Sequence, residues 1–292
     1  MNTSAAMQAI LDDWSLPLPL TFSIAAFALV YLVGWFRIRR TRPRQFPVWR
    51  LYSFEAGMFV LWFAIGSPMD GLADALLSAH MVEHMLLMSA VPPLVLLGAP
   101  VVPLLRGLPL WVRRAIVGPL MRLTWLRHCF SFLLRPVPAW LAMNVTFLAW
   151  HVPAAYDFAL ENETWHDIEH LCFLMTSLLF WWCLLRPWPA KKLTSRWFIL
   201  PYLITADFVN TALSAFLAFC GRPVYSYYLT HPNPFGVSQV SDQMLGAVIM
   251  WIFGSMAFLV PAMVITMQLL SSQSAKSGGG AHARAAHTSV SN

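Results

Sequence analysis

Long apolar runs alternate with short polar clusters along the whole chain. Seven such runs stand out, centred on 18–36, 51–66, 76–97, 137–155, 168–185, 198–220 and 243–270. Each approaches the roughly 20 residues with which an α-helix crosses the hydrocarbon core, where backbone groups must satisfy one another's hydrogen bonds. The pattern predicts an all-α integral membrane protein, a bundle of about seven transmembrane helices.

Composition supports this fold class. The chain is 58% hydrophobic and 11% charged, whereas soluble domains carry roughly 25% charged residues. A soluble enzyme is thereby excluded. The N-terminal segment MNTSAAMQAILDDW has no basic region, so we expect it to be retained rather than cleaved as a signal peptide.

The basic residues indicate an orientation, because Lys and Arg concentrate in cytoplasmic loops. Of the 19 Lys and Arg residues, all but Arg222 fall on alternate connections. These residues are Arg37, Arg39, Arg40, Arg42, Arg44, Arg50, Arg106, Arg113, Arg114, Arg122, Arg127, Arg135, Arg186, Lys191, Lys192, Arg196, Lys276 and Arg284. The distribution predicts an N-terminus outside and a C-terminus in the cytoplasm, in a multi-pass protein of the bacterial plasma (inner) membrane.

The remaining charge follows from this topology. The net charge of +6 suits loops that face anionic membrane lipids, and no recognisable nucleic-acid-binding module is present.

We predict one transmembrane domain over residues 1–270. Within it, residues 106–135 mix Leu, Trp and Arg as cytoplasmic interfacial amphipathic helices do. Residues 271–292 are rich in Ser, Gly and Ala, which predicts a disordered cytoplasmic tail.

Two segments share the spacing H-x-x-E-H. HMVEH, with His80 and His84, lies near the start of the third helix, and HDIEH, with His166 and His170, opens the fifth. Residues four apart share a helix face, so each pair can direct two imidazoles into one space. The predicted topology puts both pairs at the outer boundary, and His151, which ends the fourth helix, joins them there.

Carboxylates belong to the same end of the predicted bundle. Asp242 begins the seventh helix and Asp70 follows the second. Ionisable groups inside a membrane bundle are costly and therefore usually functional. The cluster predicts a metal or haem site, although any single member could be an interfacial, hydrogen-bonded histidine. His231 lies in a Pro- and Asn-containing loop and is left outside the site.

A second polar feature lies near mid-membrane. Asp207 and Asn210 stand at helical spacing with Thr211 and Ser214 on the sixth helix. An interhelical hydrogen-bond network explains them. The alternative is that Asp207 relays an ion or forms a second ion-binding position deeper in the bundle.

Four motifs occur in order: LLSAHMVEHMLLMSAVPPLVLLGAP, WHVPAAYDFAL, HDIEHLCFLMTSLLFWW and SDQMLGAVIMW. Together they resemble the caa3-type cytochrome c oxidase assembly factor family, CtaG, from about the second helix to the seventh. The resemblance implies a factor that assembles a haem-copper terminal oxidase, with oxidase subunits and a periplasmic copper donor as partners. Matched position by position, the family's motif residues correspond to His80, His84, His151, His166, His170, Asp157 and Asp242 in this sequence.

Copper(I) is chemically coherent with this set, because it accepts imidazole and the thioethers of nearby methionines such as Met81 and Met85. The working hypothesis is a non-enzymatic factor that binds copper through the histidines, with Asp242 orienting or completing the site. Two alternatives stay open. H-x-x-E-H is also a zinc-protease signature, and facing histidines could ligate haem. A retinal protein is excluded because Lys191, Lys192 and Lys276 all fall in cytoplasmic segments.

Overall fold

The computed structural model describes residues 14–190, 197–231 and 235–288, together with positions 4, 7, 8, 11 and 12, and gives side chains as far as residue 271. Over these residues the chain is helical and contains no strand. The sequence's all-α expectation is therefore confirmed for the part that is described. Lys191, Lys192 and Arg196, which contribute to the charge count, lie outside it.

Within the residues that the structure describes, eleven main helices define the fold. They are α1 (Leu18–Arg39), α2 (Val48–Gly66), α3 (Pro68–Ala75), α4 (Leu77–Leu97), α5 (Val101–Gly107), α6 (Thr124–Leu133), α7 (Pro136–Trp150), α8 (Pro153–Leu160), α9 (Glu163–Leu185), α10 (Ile199–Phe219) and α11 (Gln239–Thr288). Shorter helical pieces lie between α5 and α6 and at Tyr227–Thr230.

In the described part of the chain, six helices are long and apolar enough to cross a membrane: α1, α2, α4, α9, α10 and the 239–271 part of α11. A seventh crossing is present if α6 and α7, which meet at 75°, form one broken span. The predicted helix over 137–155 is wrong at its end, because α7 stops at Trp150 and α8 begins at Pro153. Proline disfavours helical backbone in the residue before it, and Val152 is accordingly extended.

Helix α4 changes its winding just below its histidines. Residues Leu86–Ala90 form a π-helical turn immediately before Pro92 and Pro93. Pro92 has no N–H to bond the carbonyl of Met88. The indole Nε1 of Trp181 on α9 donates to that carbonyl instead, at 2.9 Å. This bond fastens α4 to α9 at the turn where α4 would otherwise carry an unsatisfied carbonyl.

The core has two parts. One joins α4, α7, α9, α10 and α11 around Phe173, Phe180 and Met250. The other joins α1 and α2 to the second half of α4 around Tyr31 and Phe54. Since α4 contributes to both, it connects the two parts of the core, and its histidine-bearing turns pack in the first part.

Two predicted peripheral features have structural counterparts. The stretch between α5 and α7 is helical and exposes Trp111, Ile116, Met121 and Trp125; its location at the cytoplasmic surface stays a prediction. The backbone of α11 continues through residues 272–288, over most of the segment whose composition predicts disorder. That predicted disorder also stays a prediction, and residues 289–292 lie outside the described part.

Candidate metal centre

Three helices bring five imidazoles to one end of the bundle, which we call the histidine end. Helix α4 carries His80 and His84, α9 carries His166 and His170, and His151 directly follows α7. Spacing by four residues puts each pair on one face of its helix. We refer to these five residues as the histidine cluster.

The imidazoles of the cluster lie side by side. The ring centroids of His80 and His84 are 4.2 Å apart, as are those of His166 and His170. Between the two helices, His80 lies 5.2 Å from His166 and His84 lies 5.5 Å from His170. His151 approaches His84 at 6.2 Å. The residues picked out by sequence spacing thus occupy one small volume.

The glutamates of the two motifs join the cluster in a reciprocal arrangement. Glu169 of α9 lies 3.7 Å from Nε2 of His84, and Glu83 of α4 lies 3.8 Å from Nε2 of His170. Each glutamate therefore faces the second histidine of the opposite motif. These separations exceed ordinary hydrogen-bond lengths, so the groups are close without being joined.

Most of the cluster's polar atoms are buried and have no hydrogen-bond partner among the described residues. His80, His84, Glu83 and Glu169 are fully buried. The unpartnered atoms are both ring nitrogens of His80 and His84, both carboxylate oxygens of Glu83 and Glu169, and Nε2 of His151, His166 and His170. Buried polar groups are ordinarily hydrogen-bonded because leaving them unpaired costs free energy. This concentration of unpaired nitrogen and oxygen atoms fits a ligand that some of them bind.

Two sets of three donor atoms are already close enough to approach a metal-binding geometry. His80, His166 and His170 form one set, and His80, His84 and Glu169 form the other, with the chosen ligand atoms of each set within 4.8 Å of one another. Imidazole with carboxylate suits zinc and copper, and imidazole alone also suits copper(I). The donor chemistry therefore fits a transition-metal ion.

His151 is oriented by its own helix. Its Nδ1 lies 2.7 Å from the carbonyl of Phe147, which makes Nδ1 the donor and leaves Nε2 as the acceptor. That Nε2 is buried and unpartnered. In this tautomer the lone pair of Nε2 is available to a metal. His151 nevertheless belongs to neither set of three.

Asp242 is buried on the first turn of α11, but its carboxylate points to the backbone of α4. Its two oxygens accept hydrogen bonds from the amides of Leu77 (2.7 Å) and Ser78 (3.2 Å). The first amides of a helix have no partner within it, and α4 has no capping side chain of its own. Asp242 thus caps α4 three residues before His80, and it lies outside both sets of three donors.

Asp157, the other carried-over aspartate, has a similar role in the loop between α10 and α11. It accepts hydrogen bonds from the amides of Ser226 and Tyr227, each at 3.1 Å. The neighbouring Tyr156 is fully buried and its ring lies 5.3 Å from that of His80. Asp157 therefore holds the loop that packs over the cluster.

An acidic rim surrounds the histidine end. Half-buried Asp70 on α3 interacts with the charges of Asp74, Asp167 and Glu163. Burial first, and then these neighbouring carboxylates, raise the pKa of Asp70 to about 6. A local concentration of negative charge attracts cations.

The mid-membrane pair lies deeper and apart from the cluster. Asn210 is buried and donates to the carbonyl of Met250 on α11 at 3.4 Å. Asp207 is half-buried, with one carboxylate oxygen that has no partner among the described residues. The Asn210 contact fits the hydrogen-bond network considered from the sequence, and the relay role of Asp207 stays untested.

Glu83, Glu169 and Tyr156 belong to this site although they were not among the residues selected from the sequence. The sequence could have indicated the two glutamates, since both H-x-x-E-H motifs contain one at the same position. It could not have indicated Tyr156, because the approach of Tyr156 to His80 depends on how α8 folds back over the bundle.

Fold and site together define a polytopic helical membrane protein with a buried histidine and glutamate centre at one end. The family model described as cytochrome c oxidase caa3 assembly factor matches residues 29–272. The chain belongs to this family. The match begins inside α1 and so extends beyond the motif-based resemblance, which began at about the second helix.

The chain is also similar to uncharacterized mycobacterial proteins. It is 28% identical over 234 residues to one from Mycobacterium bovis, covering 77% of this chain and 34% of that protein. It is 28% identical over 262 residues to one from Mycobacterium leprae, covering 85% and 38%. The chain thus spans little more than a third of the length of these relatives. No solved structure matches it.

Proposed function

We propose that this protein supplies copper to a haem-copper cytochrome c oxidase during its assembly, binding the ion in the histidine cluster. The unpartnered, buried ring nitrogens of His80 and His84 carry the proposal. Family membership supplies the oxidase, and the imidazole-rich donor set supports copper. Copper is here the cargo and not a catalytic cofactor, so the role is non-enzymatic.

The arrangement suits an ion that must be both held and released. The cluster lies at the end of the bundle beneath an acidic rim, which favours capture of a cation. We place this end on the outer, periplasmic side, because the basic residues favour that orientation. There a periplasmic donor could deliver copper, and an oxidase subunit in the same bacterial plasma membrane could accept it.

The two alternatives have less support. In a zinc hydrolase of the H-x-x-E-H type the glutamate serves the metal of its own motif, whereas here each glutamate faces the second histidine of the opposite motif. A haem protein would ligate iron through facing histidines. Its strong Soret absorption would be visible in the purified protein.

The test combines metal content with oxidase maturation. Wild type, the double variant His80→Ala/His84→Ala and the control His231→Ala are purified, and their copper and zinc contents are measured. Each is also expressed in cells that lack the native gene, where oxidase copper and activity are assayed. His231 is exposed, and its Nδ1 lies 3.1 Å from the hydroxyl of Thr230 and from the carbonyl of Tyr227. It belongs to neither set of three and therefore controls for the loss of a histidine.

The proposal predicts that wild type and the control contain copper and that the double variant does not. It also predicts that the oxidase stays immature in cells that express the double variant. A double variant that retains metal and matures the oxidase contradicts it. If the wild-type protein holds no metal but loss of the gene still blocks oxidase maturation, copper transfer is wrong. Docking of an oxidase subunit then becomes the better explanation.

A further inference from the structure

The two sets of donor atoms in the histidine cluster overlap at one residue. We call His80, His166 and His170 the mouth set, and His80, His84 and Glu169 the inner set. Ligands on opposite sides of an ion lie at most roughly 4.2 Å apart when each bond is about 2.1 Å long. Donor atoms within 4.8 Å therefore need only small side-chain movements to close on an ion.

The two sets differ in depth. His166 is half-buried and follows Glu163 of the acidic rim by one turn of α9. His84 and Glu169 are fully buried. His84 lies one turn further along α4 than His80, and a helical turn advances about 5.4 Å. An ion arriving from the rim reaches the mouth set first.

The sets also differ in chemistry. The mouth set is made only of neutral imidazoles, which accept copper(I) well. The inner set adds the carboxylate of Glu169, which supplies a negative charge to a buried cation. A charge inside a low-dielectric region needs such a partner.

His80 cannot serve two ions at once, because a neutral imidazole offers a single acceptor nitrogen. We propose that one copper ion occupies the two sets in turn, entering at the mouth set and moving to the inner set while His80 remains its ligand. This relay rests on the proposed function, since it assumes that the cluster binds copper. A shared ligand lets the ion change position without being released to water.

The relay is tested on the purified full-length protein by anaerobic copper(I) titration against a competing chelator, with stopped-flow measurement of uptake and release. Three variants separate the sets: His166→Asn removes a mouth ligand, Glu169→Gln removes the inner carboxylate, and His80→Asn removes the shared ligand. His231→Asn is the matched control. Size-exclusion chromatography and circular dichroism establish that each variant is folded, and His170→Asn replaces His166→Asn if the latter is not.

The relay predicts one copper(I) per chain in wild type and in both single-set variants. His166→Asn slows uptake by about tenfold or more, Glu169→Gln speeds release by a similar factor, and His80→Asn weakens affinity by roughly a hundredfold. If His166→Asn and Glu169→Gln each weaken the copper affinity as much as His80→Asn does, the cluster is one undivided site and the relay is wrong. Unchanged kinetics in both variants, or two ions bound to wild type, also overturn it. No binding by wild type contradicts the proposed function itself.

Discussion

The carboxylate of Asp242 caps the helix that begins at Leu77, accepting the Leu77 amide hydrogen bond at 2.7 Å. The same carboxylate accepts from Ser78 at 3.2 Å. Because α11 provides the cap that α4 lacks, the start of one transmembrane helix positions the first histidine turn of another. Asp242 therefore acts on the site through backbone geometry.

Replacement of Asp242 distinguishes this capping role from direct ligation. Asn caps helices about as well as Asp, while loss of a cap to Ala costs about 0.5–2 kcal/mol. We expect Asp242→Ala to lower thermal stability and copper affinity together, and Asp242→Asn, whose single side-chain oxygen can accept only one of the two amide hydrogen bonds, to lower both by less. Thermal unfolding in detergent and copper titration measure the two quantities. Equal loss of copper binding in the two variants, without loss of stability in Asp242→Asn, would make Asp242 a ligand.

Trp181 satisfies the carbonyl that Pro92 leaves free in α4. We expect Trp181→Phe to lower the free energy of unfolding by about 1–3 kcal/mol, the cost of an unsatisfied buried carbonyl. The neighbouring half-buried Trp182 is the matched control as Trp182→Phe. Chemical denaturation in detergent, followed by far-ultraviolet circular dichroism, compares the pair. A Trp181→Phe variant as stable as the control would show that this bond does not hold α4 to α9.

Much of this architecture was accessible from the sequence, because membrane crossing demands long apolar runs and nearly all basic residues fall at or near alternate connections. The spacing of His80 with His84 and of His166 with His170 required only helical periodicity. Three features depended on tertiary packing: the cap that Asp242 gives to α4, the reciprocal contacts of Glu83 and Glu169, and the approach of Tyr156 to His80. The break of the fourth crossing at Pro153 was visible in the chain, but the apolar run around it hid its effect.

Asp70 should make stability depend on pH. Its pKa rises to about 6 in the folded protein through burial and the neighbouring carboxylates, against about 3.9 in an unfolded chain. The folded state thus binds the proton of Asp70 more tightly than the unfolded state does. The contribution of this proton to the free energy of unfolding is therefore fully present below about pH 4 and is lost as pH rises through 6.

Asp70→Asn tests this dependence in the metal-free protein. We expect the variant to unfold at a higher temperature than wild type at pH 7, with the difference shrinking towards pH 4. Thermal scans at several pH values give the comparison. Exposed Glu161, at the same end of the bundle, controls for the loss of one carboxylate as Glu161→Gln. A pH-independent difference between Asp70→Asn and wild type would contradict the raised pKa.

Thiol labelling tests the orientation. Cys129 is exposed on α6 among the basic segments, and Thr230 is exposed near the histidine end. In intact cells, a membrane-impermeant maleimide should label Thr230→Cys in a background that lacks Cys129, Cys172 and Cys220. It should leave Cys129, as the one of these three restored to that background, unlabelled until the membrane is opened. The reverse pattern would place the histidine cluster on the cytoplasmic side.

X-ray absorption at the copper edge of the copper(I)-loaded wild-type protein tests the central claim most directly. The account predicts bound copper with at least two imidazole ligands, and a smaller imidazole contribution per copper in His80→Asn, while His231→Asn matches wild type. Copper that binds without imidazole ligands, or with an unchanged spectrum in His80→Asn, would contradict the claim that the histidine cluster is the copper site.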